Sequence, residues 1–179
     1  MKDCNPVLTP IEPGAKLSKF DGGERVDATK YRSLVGSLLY LTCTRPDISY
    51  SIGVVSRFME EPVYTHLKAV KRILRYIRGT ESLVLFYTKA EDFMLVGYSD
   101  SDWCGDVDDR KSTSGYVFLG DTTFTWLSKK QPVVTLSTCE AECVAAGGCV
   151  SCDLSSHAGA CASSKRMAYL EAWSRSNVD

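Results

Sequence analysis

Gly97-Tyr98-Ser99-Asp100-Ser101-Asp102-Trp103 is the stretch on which the fold turns. Met94 to Ser99 is strand-like, so the run delivers an aspartate, Asp100, to the end of a strand. Leu83 to Tyr87 before it, and Gly115 to Leu119 and Phe124 to Leu127 after it, are also strand-like, and the short Gly120-Asp121 turn joins the last two. A meander is the simplest outcome. Ser137 or Thr138 can then cap a helix whose first turns hold Glu140, Glu142, Val144 and Ala145, where carboxylates gain from the helix dipole. The expected class is α+β: a helical N-terminal segment, then a three-stranded antiparallel meander with one helix.

Upstream of this region the period changes to that of helices. Residues 1–27 hold Pro6, Pro10 and Pro13 with several glycines, and read as an extended leader. A first helix is expected from Ala28 to Thr42, with Leu34, Leu38 and Leu41 on one face. A second has Pro46 in its first turn, Thr44 as a possible cap and the stripe Ile48, Ile52, Val55 and Met59, and Pro62 ends it. The third starts with Thr65 as its cap, packs His66, Val70, Ile73 and Ile77, and stops at Gly79 as the residue after the helix. That third helix carries Lys68, Lys71, Arg72, Arg75 and Arg78 and no acid, and four of these recur at three, four and three on one face. Such a face can track phosphates or lie solvated.

The 179 residues fit one domain or two small ones, and 44% hydrophobic with 24% charged residues is the balance of a folded globular chain. A net charge of −1 leaves any nucleic-acid contact to a local patch. The N-terminus lacks the apolar core of a secretory signal and no stretch is long enough to span a bilayer, so a cytoplasmic or nuclear chain without a membrane partner is expected. The eight cysteines lack the spacing of a disulfide framework and read as reduced thiols. Cys149 and Cys152, with His157 and Cys161, are the weak exception, a possible zinc set. Asp100 at a strand end and Glu142 on a helix start are oxygen ligands of the kind magnesium takes, whereas Asp106, Asp108 and Asp109 continue the acids into a turn.

Several strings occur in an order that resembles copia-type retrotransposon Pol polyproteins. Tyr31-Arg32-Ser33-Leu34-Val35-Gly36-Ser37-Leu38-Leu39-Tyr40-Leu41, Thr44-Arg45-Pro46-Asp47-Ile48 and Arg72-Ile73-Leu74-Arg75-Tyr76 are similar to the end of the reverse transcriptase. The 97–103 string, Arg110-Lys111-Ser112-Thr113-Ser114-Gly115-Tyr116, Trp126-Leu127-Ser128-Lys129-Lys130-Gln131 and Leu136-Ser137-Thr138-Cys139-Glu140-Ala141-Glu142 are similar to the attached ribonuclease H. The resemblance covers about residues 1 to 150. It implies a thumb and connection remnant at 28–80, a partial RNase H-like domain at 81–150 and a divergent tail at 151–179. Asp100 and Glu142 match two carboxylates that hold magnesium ions, which in that chemistry sit roughly 4 Å apart and cut the RNA strand of an RNA–DNA hybrid. By the same resemblance Lys68, Lys71, Arg72, Arg75 and Arg78 would grip the duplex.

The polymerase palm would precede this segment, so no polymerase activity is expected of these residues. The third metal aspartate would follow Val150, and Asp153 is too close to Glu142 to replace it, so magnesium, the family's cofactor, is not expected to be functionally bound here. Three functions compete: a retroelement remnant with an inactive RNase H-like domain and weak nucleic-acid binding; an RNA–DNA hybrid ribonuclease completed by a partner chain; and a non-enzymatic protein, since Arg72-Ile73-Leu74-Arg75 spells R-x-L-R and the chain resembles proteins described as secreted RxLR effectors.

Ser151-Cys152-Asp153-Leu154 is the sharpest departure. Family members often continue here with Cys-His-Ala-Ile-Trp, encoded TGY-CAY-GCN-ATH-TGG, and the same bases read two positions later, YCA-YGC-NAT-HTG, can encode Ser-Cys-Asp-Leu. A frameshift near codon 151 is therefore expected. Sequencing the genomic DNA checks it: family-like codons should appear in an alternate frame after residue 150, and their absence would refute the frameshift.

Overall fold

The computed structural model describes residues 4–83, 85–87, 96–120 and 122–154. The chain divides into two compact units, one up to residue 84 and one from residue 85.

In the first unit, α1 spans Ala28–Leu41, and Asp27 caps it by accepting the N–H groups of Thr29 at 2.9 Å and Lys30 at 3.3 Å. The buried stripe is Tyr31, Val35 and Leu38, three residues back from the expected one and sharing only Leu38 with it, while Leu34 is exposed and Leu41 partly buried. The cause is Tyr31, whose hydroxyl donates to the Val55 carbonyl at 2.8 Å and fixes which side faces inward. Thr44 does not cap the second helix; its hydroxyl closes the end of α1 on the Leu41 carbonyl at 3.3 Å. A 3-10 turn, Pro46–Ile48, leads into α2, Ser49–Ser56, so the regular helix stops before Met59. The stripe Ile48, Ile52 and Val55 is buried as the spacing predicts, with Met59 packed against it.

The third helix, α3, spans Tyr64–Gly79. Val63 occupies its cap position, and the backbone N–H of Val63 donates to His66 Nδ1 at 3.2 Å; Thr65 instead reaches Asp21 Oδ2 at 3.4 Å. Because His66 Nδ1 accepts, Nε2 carries the proton and donates to the Ser18 carbonyl at 3.0 Å. The ring is fully buried and stacked on Phe58 at 3.9 Å. Gly79 is the last helical residue, with Thr80 at the cap position, and a Cβ there would lie 2.9 Å from Pro6 Cβ. The glycine is thus required by a close approach of the leader, not by a left-handed turn. At the same end Arg45 pairs with Asp47 at 2.7 and 2.9 Å and donates to the Thr80 carbonyl at 3.2 Å and hydroxyl at 2.7 Å. Burial alone would raise the Asp47 carboxyl, but its bonds to Arg45 and Tyr76 outweigh this and hold it low. The expected leader is part of this unit: Val7 and Leu17 pack on its core, and Arg25 bridges to Val63.

The second unit is the expected three-stranded antiparallel sheet with one helix. Strands β1 (Val96–Asp102), β2 (Thr113–Leu119) and β3 (Thr123–Lys130) lie in the order β1-β2-β3. Asp100 pairs with Gly115, and Gly97 pairs with Phe118, whose ring would lie 2.6 Å from a Cβ at 97. Glycine there lets the buried Phe118 lie across β1. Leu83 and residues 85–87 are not in a strand, contrary to the expectation for 83–87, and Met94 lies outside the described residues.

The final element, α4, spans Thr138–Leu154 and packs against β1 and β2. Ser137 is its cap, accepting the Glu140 N–H at 3.2 Å, while Glu140 Oε2 accepts the Leu136 N–H at 2.7 Å. Its buried stripe, Ala141, Ala145 and Cys149, consists of small residues that allow close approach to the sheet. The helix continues four residues past the expected boundary at 150, because Ser151, Cys152 and Asp153 contain neither Pro nor Gly to stop it. His157 and Cys161 of the possible zinc set lie outside the described residues. Cys4, Cys43, Cys104, Cys139, Cys143 and Cys149 are free thiols, and no described helix is long and apolar enough to cross a membrane.

Candidate functional site

Two places carry the residues that the sequence singles out, one in each unit. In the second unit, antiparallel pairing runs β1 out to Asp102, so Asp100 stands exposed near its end. The small stripe of α4 brings the helix's first two turns against β1, and Glu142, next to the buried Ala141, faces that strand end. The structure thus brings Asp100 and Glu142 together. Burial, and then the charge of Asp100, push the Glu142 carboxyl above its ordinary range, and the Ser101 N–H pulls it partly back. That same N–H donates to Asp100 Oδ1 at 2.8 Å, so one backbone donor serves both acids. Glu142 Oε2 is buried without a hydrogen-bond partner.

A buried, unpartnered carboxylate oxygen beside a second carboxylate repels itself unless a cation or proton comes between them. Magnesium takes hard oxygen ligands, commonly one or two carboxylates per ion, and these two residues fit such an ion. Among the described residues no group of three or more His, Cys, Asp or Glu side chains is arranged to hold a metal.

The neighbouring acids are engaged elsewhere. Asp102 Oδ1 accepts the Thr113 N–H in a short hydrogen bond, and its Oδ2 would collide with any Cβ at Gly105. Asp106 holds the turn between β1 and β2: it accepts the N–H groups of Asp108 at 2.9 Å and Asp109 at 3.3 Å, and the Lys130 ammonium at 2.6 Å. Burial would raise its carboxyl, but these donors outweigh burial and bring it down to about 2. Cys104 and Arg110 in this turn have φ of 53° and 59°, the left-handed conformation that costs a side chain energy, and the Asp106 knot holds the loop around them.

In the first unit, α3 presents Lys68, Lys71 and Arg78 to solvent, whereas Arg72 and Arg75 are half-buried. The leader lies along this side. Arg72 donates to the Thr9 carbonyl at 3.2 Å and hydroxyl at 2.9 Å, Arg75 to the Asn5 carbonyl at 2.7 Å, and Arg78 to Cys4 Sγ at 3.7 Å. Lys71 sits over the Tyr64 ring, 5.8 Å from its centre. The α3 segment contains no acid, and the leader supplies backbone carbonyls to Arg72 and Arg75. The Arg72-Ile73-Leu74-Arg75 string is interior to α3: Ile73 is buried and both arginines are bonded to the leader.

Sequence reasoning passes over Gln131, which is buried and bonds both to the sheet and to α4. The only signal for it is its place at the end of the Trp126-to-Gln131 string, because a tertiary hydrogen bond leaves no periodic trace.

Curated relatives include the retrovirus-related Pol polyprotein from transposon RE1 of Arabidopsis thaliana, 50% identical over 143 residues, which are 79% of this chain and 10% of that protein. The retrovirus-related Pol polyprotein from transposon TNT 1-94 of Nicotiana tabacum is 46% identical over 154 residues, 82% of this chain and 12% of that protein. The chain therefore spans about a tenth of the length of these relatives. Secreted RxLR effector protein 161 of Plasmopara viticola is 49% identical over 117 residues, 64% of this chain and 82% of that protein. No protein-family model and no solved structure matches the chain.

The Asp106 knot makes a pH prediction. A carboxyl held at about 2, against an ordinary 3.8, contributes stability above that ordinary value and loses it as pH falls through about 2. Thermal unfolding followed by circular dichroism should give a melting temperature that drops between pH 4 and pH 2. The Asp106→Asn protein should melt lower at pH 7 and lose less over that window; parallel curves would show that Asp106 contributes nothing.

Proposed function

This chain belongs to the copia-type retrotransposon Pol polyproteins, and we propose that its second unit is a partial RNase H-like site that holds one magnesium ion between Asp100 and Glu142 without cutting an RNA–DNA hybrid. The observation that carries the reading is Glu142 Oε2, buried and unpartnered beside Asp100. Exposed Asp100 provides the ligand open to solvent and substrate, and half-buried Glu142 provides the one fixed by the helix. Bound magnesium ions in a two-ion site would supply activation of the attacking water and stabilisation of the leaving oxygen. Two carboxylates hold a hard, strongly hydrated ion weakly and do not set the geometry of a pair of ions. Asp102 and Asp106, the nearest acids in sequence to Asp100, are already engaged by Thr113 and Lys130 and do not complete the set.

Weak, sequence-independent binding to duplex nucleic acid is the second part of the proposal, and it rests chiefly on Lys68 and Lys71. These are exposed, whereas Arg72 and Arg75 already donate to the leader, and a phosphate would have to displace backbone acceptors from them. The family's contact with the hybrid's backbone fits this chemistry, since ammonium groups read charge and not base sequence.

Incubating the protein with an RNA–DNA hybrid and magnesium or manganese, beside an Asp100→Asn control, should give no cleavage above the control. Cleavage by the parent and not by the control would refute the silence.

Hybrid binding should weaken as salt rises, each phosphate contact contributing about 0.9 to the logarithmic slope. Lys68→Ala with Lys71→Ala should remove most of that slope, and adding Arg72→Ala and Arg75→Ala should change it little further. An unchanged slope in the double variant would show that the face is only solvated.

A further inference from the structure

Gln131 is 3% exposed, and its carboxamide stands between the two elements that carry the candidate ligands. Nε2 donates to Ser114 Oγ on β2 at 2.8 Å and to the Ala141 carbonyl on α4 at 2.9 Å, and it lies 3.5 Å from Ser101 Oγ on β1. Its backbone N–H is anchored on the Ser112 carbonyl at 2.8 Å, where β2 begins. Ser101 adjoins Asp100 and Ala141 adjoins Glu142. We infer that Gln131 is the positioning residue of the two-carboxylate site, its carboxamide fixing the first turns of α4 against the β1 end so that Glu142 stays beside Asp100.

The carboxamide bridges the neighbours of both acids without touching either one, so it sets their separation without competing for a ligand. Glutamine suits this place because both of its N–H bonds are used at good length on fixed acceptors. Its Oε1, like Glu142 Oε2, is buried without a partner. Both side chains reach Ser101, Gln131 Nε2 at its Oγ and Glu142 at its N–H, so the two residues meet at one point of β1.

This inference rests on the reading of Asp100 and Glu142 as a metal-holding pair, and its test separates the two. The full 179-residue chain and its Gln131→Met variant, which keeps the length and removes the hydrogen bonds, are titrated with Mn2+ and followed by electron paramagnetic resonance. Amide hydrogen exchange is measured on the same metal-free samples. Mn2+ affinity should fall by about tenfold or more, as for residues that orient metal ligands. The Ser101 and Glu142 amides should exchange faster while the β2–β3 ladder keeps its protection. Unchanged affinity with unchanged exchange at Ser101 and Glu142 overturns the inference, and so does loss of protection along the whole ladder, which assigns Gln131 to general stability. If the parent binds no Mn2+, the metal reading fails, and the exchange comparison alone decides whether Gln131 holds the turn.

Discussion

The close seat of α4 on β1 is the contact on which the second unit depends. Ala141, Ala145 and Cys149 recur every four residues and are the only side chains that α4 is seen to bury among those described. Small residues bring the helix backbone near the strands, so polar groups on neighbouring positions reach across. That nearness lets one Ser101 N–H serve two carboxylates and lets a glutamine from the end of β3 reach a helix carbonyl. A larger residue at 141 or 145 would lift the helix and separate the acids before it affected the sheet.

The first unit is organised differently, around satisfied polar groups at the margins of an aliphatic core. Tyr31 places its hydroxyl on a buried carbonyl, His66 uses both ring nitrogens on backbone groups, and Arg45 closes the end of α3. The Tyr31, Arg45 and His66 Nε2 bonds each join segments 24 or more residues apart in sequence. The leader takes part in the same economy of donors and acceptors. Its carbonyls lie where α3 concentrates positive charge, which lowers the repulsion among those side chains.

The fold class, the three helices of the first unit and the three paired strands with their helix are legible in the sequence because they rest on period, punctuation and an ordered set of strings. Pro46 and the stripe Ile48, Ile52 and Val55 locate α2, and the strand-like runs around Asp100 locate the sheet. The buried face of α1 is less legible. Leu34, Leu38 and Leu41 form one acceptable stripe and Tyr31, Val35 and Leu38 another, and a tyrosine hydroxyl that finds a carbonyl 24 residues away decides between them. Helix ends mislead for a related reason: Thr44 and Thr65 are ordinary capping residues, but their hydroxyls find other partners once the chain is folded. The roles of Gln131, Asp102 and Asp106 share this property, since each is defined by what it meets and not by where it falls in a repeat.

The sheet order β1-β2-β3 gives β1 a single neighbour among the described residues. Side chains alternate across a strand, so a slip of one residue against β2 would turn Asp100 to the opposite face and bring Ser99 or Ser101 to the position facing Glu142. Two features oppose that slip: Gly97 accommodates Phe118 only in the observed alignment, and Asp102 locks the far end to Thr113. The orientation of the exposed acid is thus specified at both ends of its strand by residues that do not take part in its chemistry, and Gly97, the least conspicuous of them, acts as the index mark against which β1 is aligned.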